Sequence, residues 1–330
     1  MLNMSSISTG VPETLPRHLD AIEQIFAAQL ETDLPAVGEL AALVARYRGK
    51  MLRPTLVLLA GLAVSKGDES ILESDSLRRL AATIEMIHMA TLVHDDVLDE
   101  ASERRSGLSI NSLRGNEAAV MLGDYLIANA FHLCSTIGDP MLNEALGQVT
   151  RTLCEGELVQ LHLRDDLSID LDTYLEIIRR KTAVLVGAAG GLGVRVAGGS
   201  DALADAMKAY GEHLGVAFQI RDDLLDLEEE TATIGKTSGR DLEKGKMTLP
   251  VILLFEEADK TLFMELTAAI RKKDAILVRR LVQESGAIDR ALAFASEEVA
   301  RAKAVIEPHI SGSMKMLFLQ LADSVLTRSK

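Results

Sequence analysis

Apolar side chains recur every three or four residues along almost all of this 330-residue chain, as at Leu19, Ile22, Ile25, Phe26 and Leu30, and no sustained alternation of apolar and polar residues occurs. That spacing gathers a stripe on one face of a helix, whereas a half-buried strand needs a period of two. The pattern therefore predicts helices throughout and no strand. Composition agrees, since hydrophobic residues make up 48% but aromatics only 3%, with no Trp and 7 Pro, a Leu-, Ala- and Met-rich balance that favours helix over sheet. Polar or Gly/Pro breaks near Asp33, Gly49, Gly67, Ser106 to Gly115, Gly138, Asp165 to Asp170, Gly199, Thr231 to Lys246 and Pro308 divide the chain into about a dozen helices. With no low-complexity linker, residues 1–330 read as a single all-α domain, a helical bundle.

A formal net charge of -14 argues against a nucleic-acid partner, because neutralising a phosphate backbone needs a basic surface. An acidic protein can hold a phosphate-bearing substrate only through bridging cations or a few clustered Lys and Arg. Cys134 and Cys154 sit in apolar helical stretches without metal-ligand spacing, which predicts two reduced core thiols in a reducing compartment. The start MLNMSSISTGVPETLP lacks a basic segment followed by an apolar one, so no signal peptide is expected. The longest uncharged apolar stretch, Thr182 to Val194, is short of the roughly 20 residues of a membrane span, so a soluble, cytoplasmic protein is expected. The segment GAAGGLGVRVAGG follows no strand and has the wrong glycine spacing for a dinucleotide loop, and it reads instead as a small-residue helix in a crowded bundle.

Two segments carry the chemistry. MIHMATLVHDDVLDE contains Asp95, Asp96 and Asp99, and HLGVAFQIRDDLLDLEE contains Asp222, Asp223 and Asp226, both with the pattern DDxxD. Among 49 acidic residues about one such triple is expected by chance, so context decides. Each motif ends an apolar helix, and in each the first and last Asp are one turn apart on the same face. Their repulsion, a few tenths of a kcal/mol when solvated, is relieved by a bound cation. Oxygen-only ligands select a hard ion, and Mg2+ shares its coordination between one or two carboxylates and substrate phosphate. By contrast Asp165, Asp166 and Asp170 lie in a polar stretch and predict a solvated turn.

Cationic residues surround these motifs. Arg104 and Arg105 follow the first, Lys50 and Arg53 flank the helix start in GKMLRP, where Pro54 suits a first turn, and Lys181 and Lys246 lie further on. Together they predict two phosphate pockets facing one metal site.

The ordered set GKMLRP, IHMATLVHDDVLD followed by RR, GDYL at Gly123 to Leu126, GEL with Gln160, KT at Lys181, FQIRDD, then GK, GRD and GKMTLP resembles the trans-type isoprenyl diphosphate synthases, or polyprenyl synthetases, from Arg48 to Pro250. The resemblance implies the isoprenoid synthase fold, helices around a deep central cavity across which the two motifs face each other, and a homodimer. It implies an enzyme that condenses isopentenyl diphosphate with an allylic diphosphate by ionisation, condensation and elimination, releasing pyrophosphate, which is also the implied proton acceptor. Asp95, Asp96, Asp99 and Asp222 would act on the allylic diphosphate through Mg2+, with Asp95, Asp99, Asp222 and Asp226 as metal ligands and Arg104, Lys181 and Lys246 completing the shell. Lys50, Arg53, His88 and Arg105 would hold the diphosphate of isopentenyl diphosphate, Thr182 and Gln219 would border the allylic cation, and TATIGKTSGRDLEKGKM would be a mobile lid. Ser106 stands between the Arg pair and Gly107, where the family continues directly with Gly, which alters the aim of Arg105. His94 reads as a packing or supporting residue rather than a ligand.

Rival readings are a class I terpene cyclase, whose second motif is usually an Asn/Ser/Glu triad, a His-Asp phosphohydrolase, for which the 7 His are too scattered, and a non-catalytic partner subunit, which would have lost carboxylates. A short-chain synthase making farnesyl or geranylgeranyl diphosphate is the nearest alternative. The family limits product length by side chains beneath the first motif, here the small Thr91 and Ala90. On an ideal helix Thr91 lies about 6 Å below Asp95 and within roughly 40° of its face, with Ile84 nearly in line below and Ala90 turned aside. The open floor implies a long product, hexaprenyl to decaprenyl.

Overall fold

The computed structural model describes residues 11–47, 49, 51–104, 107–228 and 240–327. Lys50, Arg105 and the part of the expected lid from Thr231 to Gly239 lie outside the described residues.

Sixteen α-helices form among the described residues: α1 (Leu15–Gln29), α2 (Pro35–Leu43), α3 (Leu52–Val64), α4 (Asp75–Leu98), α5 (Ile110–Arg114), α6 (Asn116–Ser135), α7 (Pro140–His162), α8 (Leu171–Ile178), α9 (Val184–Val196), α10 (Asp201–Glu228), α11 (Arg240–Glu243), α12 (Leu249–Glu257), α13 (Lys260–Arg271), α14 (Ala275–Glu284), α15 (Ala287–Ile306) and α16 (Gly312–Leu326). The count exceeds the dozen expected because short helices such as α5 and α11 occupy stretches read as breaks. Starts follow capping chemistry: Ser74 accepts from Leu77 N at the head of α4, Asp139 from Met141 N ahead of Pro140 in α7, and Asp170 from Thr173 N in α8.

The expectation of no strand is corrected by a small ribbon, in which β1 (Glu103–Arg104) pairs antiparallel with β2 (Gly107–Leu108), Glu103 opposite Leu108 and Arg104 opposite Gly107. Two residues per strand are too few to show a period of two.

Helix α9 is the close-packed centre. A Cβ on Gly190 would lie 2.5 Å from Met207 O of α10, and one on Gly193 3.0 Å from Val57 O of α3, so small residues let three backbones approach. Helix α10 packs on α9 and α15, and α4 on α6 and α3. One core cluster gathers α3, α9, α16 and the N-terminal parts of α4 and α10, through Leu80, Ile84, Leu192, Met207, Tyr210 and Phe318. A second holds the C-terminal part of α10 against α8, α12, α14 and α15, through Tyr174, Ile220, Leu224 and Ile252. A third, with Tyr47, Ala90, Val93, Leu122 and Leu126, fixes the C-terminal part of α4 against α6. The two Asp-rich motifs are thus the ends of the two longest helices, each anchored by its own cluster.

The thiol expectation holds for one cysteine only. Cys134 is buried, and burial pushes its thiol up to about 11, whereas Cys154 is exposed because Leu153 and Gly156 occupy the inward face of α7. Helix α6 is long and apolar enough to cross a membrane by length and composition, with mean hydropathy 1.2, yet it packs against α4 and carries Glu117 and Asp124.

Candidate active site

The first motif divides into two faces. Asp95 and Asp99 share one, while Asp96, about 100° round the helix, points into the protein. Asp96 is 2% exposed, its Oδ2 accepts from the Tyr47 hydroxyl at 2.5 Å, and its Oδ1 accepts from Arg104 Nη1 at 3.1 Å. The Arg104 guanidinium also lies 5.7 Å from the centre of the Tyr47 ring, and Ile110 N donates to the Tyr47 oxygen at 3.1 Å. Burial pushes the Asp96 carboxyl above its ordinary range, against the pull of Tyr47 and Arg104. Neither Asp96 nor Arg104 is therefore brought together with Asp95 and Asp99; each holds the other in the wall behind them.

On the outward face, Asp99 accepts from Lys246 Nζ at 2.7 Å and from Arg164 Nη2 at 3.0 Å, and Arg164 also donates to Leu98 O at 3.2 Å, near the last turn of α4. Asp95 Oδ2 lies 3.9 Å from Lys181 Nζ, which pairs with Glu157 and donates to Gln160 at 2.9 Å. Burial holds the Asp95 carboxyl above its usual range, Lys181 opposing and Glu157 and Asp99 adding to the shift. Burial disfavours the Lys181 ammonium, but Asp95 and Glu157 more than compensate and raise its pKa.

Lys181 and Thr182 are presented by a single π-helical turn, Arg179–Ala183, between α8 and α9. Such bulges occur frequently at functional sites. Two glycines make room for it, since a Cβ on Gly156 would lie 2.7 Å from Arg180 Cβ and one on Gly215 2.5 Å from Ala183 Cα. Thr182 Oγ1 donates to Gln219 Oε1 at 2.8 Å.

At the end of α10, Asp222 and Asp226 are partly exposed one turn apart, and Asp223 is buried. Asp223 accepts from Tyr174 at 2.7 Å and Gln219 Nε2 at 2.8 Å; burial and the charge of Asp241 push its carboxyl up. Asp241 N donates to Asp226 Oδ2 at 3.3 Å, and burial with Asp226 raises the Asp241 pKa while Lys246 and Lys181 lower it. Asp241 therefore feels Asp99 of the first motif, Asp226 of the second and both lysines, which places the two motifs around one pool of charge. The donors are all oxygens, and among the described residues no three acidic, His or Cys side chains converge closely enough to enclose a cation alone. A hard divalent ion fits such a site if phosphate oxygens complete its shell.

Of the residues expected at a second anion pocket, Arg53 stands in the first turn of α3, and His88 half-buried on α4. Burial lowers the Arg53 pKa against the charge of Glu85, one turn before His88, and Arg53 Nε is a buried donor with no hydrogen-bond partner among the described residues. An anion would satisfy it. Lys50 and Arg105 cannot be placed with them, lying outside the described residues.

Below Asp95, Thr91 is half-buried and bonds to His88 O at 2.8 Å, while Ala90 is fully buried with Tyr47, Leu122 and Leu126. His94 Nε2 sits 3.1 Å from Val120 O and 3.5 Å from Asp124 Oδ1, and a Cβ on Gly123 would run into its ring, so the Gly-Asp of GDYL makes a seat for His94. Asp165, Asp166 and Asp170 form the expected turn: Asp166 accepts from Ser168, Asp170 caps α8, and Asp165 N donates to Gly245 O at 2.9 Å. That last bond, with Lys246 N to Asp241 O at 2.8 Å, fastens the described end of the expected lid. Arg164, Glu157 and Asp241 were not singled out from sequence. Asp241 and Glu157 sit inside the quoted GRD and GEL, which was the available signal, whereas nothing local marks Arg164.

Residues 35–284 match the family model for polyprenyl synthetase. The chain is 33% identical over 309 residues to the octaprenyl diphosphate synthase of Haemophilus influenzae, covering 92% of each. Among solved structures it resembles a decaprenyl diphosphate synthase from Rhodobacter capsulatus, with TM-score 0.87, 32% identity and 96% and 98% of the two chains covered. It resembles equally a polyprenyl synthase from Caulobacter crescentus complexed with calcium and isoprenyl diphosphate, with TM-score 0.86, 32% identity and 95% of each chain covered.

Proposed function

The chain belongs to the polyprenyl synthetase family, and from that premise we propose a Mg2+-dependent reaction at the site just described, the head-to-tail condensation of isopentenyl diphosphate with an allylic diphosphate. The enzyme is a prenyltransferase of the polyprenyl diphosphate synthase type. The observation that carries the site assignment is that Lys246 bonds Asp99 at 2.7 Å and its own backbone N–H bonds Asp241 O at 2.8 Å, Asp241 N bonds Asp226 at 3.3 Å, and Lys181 lies 3.9 Å from Asp95, so the ends of both motifs meet around the two lysines.

In this reading Asp95, Asp99, Asp222 and Asp226 hold the cations, and Lys181 and Lys246, released from Asp95 and Asp99, bind the allylic diphosphate. Divalent cations held there would supply charge neutralisation on the departing pyrophosphate. The C1–O bond of the allylic substrate breaks with its electron pair leaving on pyrophosphate. The double bond of isopentenyl diphosphate, whose diphosphate is held by Arg53 and His88 with Lys50 and Arg105, attacks C1. Loss of a proton from C2 of the isopentenyl unit to the released pyrophosphate restores an alkene. The oxygens of Thr182 and Gln219 border the cation, and closure of the site excludes water that would capture it.

We read residues 1–330 as one domain and the working unit as a homodimer. The exposed apolar side chains Val120 and Met121 on α6, and Met141, Leu158 and Val159 on α7, support a covered face there. The small Thr91 on the Asp95 face supports a long product, hexaprenyl to decaprenyl. Purified chain incubated with farnesyl diphosphate and labelled isopentenyl diphosphate is expected to make such products only with a divalent cation present. No incorporation, or incorporation undiminished by chelator, would overturn the proposal; products ending at geranylgeranyl diphosphate would favour the short-chain alternative.

A further inference from the structure

A line of hydrogen bonds, buried at its α8 end, runs from α8 to Thr182 and Gln219. The Tyr174 hydroxyl donates to Asp223 Oδ2 at 2.7 Å, Asp223 Oδ1 accepts from Gln219 Nε2 at 2.8 Å, and Gln219 Oε1 accepts from Thr182 Oγ1 at 2.8 Å. Tyr174 and Asp223 are 4% and 5% exposed, so water does not compete for the bond between them, while Gln219 and Thr182 are half-buried where the line opens towards the site.

The order of donors fixes one amide. A side-chain amide has an NH2 end and an oxygen end, and here the NH2 is the end that meets Asp223, whose Oδ1 accepts from Gln219 Nε2. With the other Asp223 oxygen taken by Tyr174, Asp223 is held so that Oδ1 faces Gln219. The Gln219 oxygen must then lie on the opposite side, next to Thr182. The threonine proton is committed to that oxygen, so its lone pairs are turned outward. Reversing the amide would direct its positive end towards the place where an allylic cation forms, an electrostatic penalty in a water-poor site.

We propose that Tyr174 is a positioning residue for the condensation, acting through Asp223 to keep the Gln219 oxygen, rather than its NH2, beside the allylic cation. This rests on the prenyltransferase reading above. The other buried tyrosine that bonds an inner aspartate supplies the contrast. Tyr47 lies 49 residues before Asp96, as Tyr174 does before Asp223, but the second oxygen of Asp96 accepts from Arg104, not from an amide beside the reaction. The same pairing reaches the reaction only at the second motif.

The test is Tyr174→Phe, assayed with farnesyl diphosphate for both pyrophosphate released and isopentenyl units incorporated. The expected result is a kcat lowered about tenfold, the equivalent of about 1.4 kcal/mol, with both KM values and the Kd of unreactive farnesyl thiodiphosphate changed less than about twofold. Pyrophosphate release should exceed incorporation, because water captures a less well stabilised cation. Gln219→Leu should show the same excess, and adding Tyr174→Phe to it should cost nothing further. A Tyr174→Phe enzyme with wild-type kcat and one pyrophosphate per unit incorporated overturns the inference, as does a double variant whose losses multiply. If Tyr174→Phe does not fold, Gln219→Leu decides, and unchanged coupling in it overturns the inference. Failure of wild-type enzyme to incorporate isopentenyl diphosphate would instead overturn the function itself.

Discussion

At the end of α4, Asp96 turns away from Asp95 and Asp99 and is closed off by Tyr47 and the guanidinium of Arg104; at the end of α10, Asp223 turns away from Asp222 and Asp226, and its partners are Tyr174 and a neutral amide. Identical DDxxD strings therefore give one carboxylate balanced by a cation and one held by dipoles alone, with Asp241 adding repulsion. The first inner aspartate ties the β1–β2 ribbon to the helix end, a structural task. The second aims a side chain beside the reaction. Helical geometry fixes which carboxylates turn inward, and tertiary neighbours decide what each then does.

The outer carboxylates should behave alike, and this carries the largest effect. Asp95→Ala and Asp222→Ala are each expected to lower turnover by roughly two to three orders of magnitude, measured as isopentenyl incorporation at limiting magnesium. Near-normal turnover in either would remove that motif from the metal site. The space beneath the motifs should differ, because the product tail is assigned to the α4 side. Thr91→Phe is expected to move products to farnesyl or geranylgeranyl diphosphate while sparing the first condensation, as read by chromatography. Ala90→Phe should shorten products too, with a stability loss of about 1–3 kcal/mol as it overfills the packing against α6.

The inner aspartates should separate stability from turnover. Arg104→Ala leaves Asp96 buried without its cation and is expected to cost about 3 kcal/mol in denaturant unfolding. Tyr47→Phe should cost about 1 kcal/mol and leave the ratio of pyrophosphate to incorporation at one, unlike Tyr174→Phe. Arg164→Gln should do least, since its bond to Asp99 is partly solvated and worth about 0.5–1 kcal/mol; it is expected to change the Kd for Mn2+, titrated directly by electron paramagnetic resonance, by no more than about fivefold.

Much of this was legible in the sequence because it is local. The apolar period predicted the helices, the four-residue spacing placed Asp95 with Asp99 and Asp222 with Asp226 on shared faces, and the glycines of GAAGGLGVRVAGG predicted the crowded α9. What stayed hidden depends on distant parts meeting. Tyr47 and Tyr174 resemble ordinary core residues until folding sets each against a carboxylate 49 positions away. Asp96 was expected with Asp95 and Asp99 at the diphosphate, and only its contacts with Tyr47 and Arg104, which come from other elements, show that it turns away. Arg164 lies in a loop whose pattern predicts only a turn, and Asp241, though inside the quoted GRD, shows its bond to Asp226 only once α11 returns to α10. Cys154 was misplaced because an apolar stretch does not say which of its residues faces inward.

The central claim is that the two motifs work as one unit on one diphosphate, and a double-mutant cycle between Asp95→Ala and Asp222→Ala tests it most directly. Groups that act together lose most of their effect when either is removed. Turnover of the double variant should therefore fall no more than about tenfold below the weaker single variant. Losses that multiply, giving a double variant lower by the full product of the two single effects, would mean that the motifs act independently and would contradict the account.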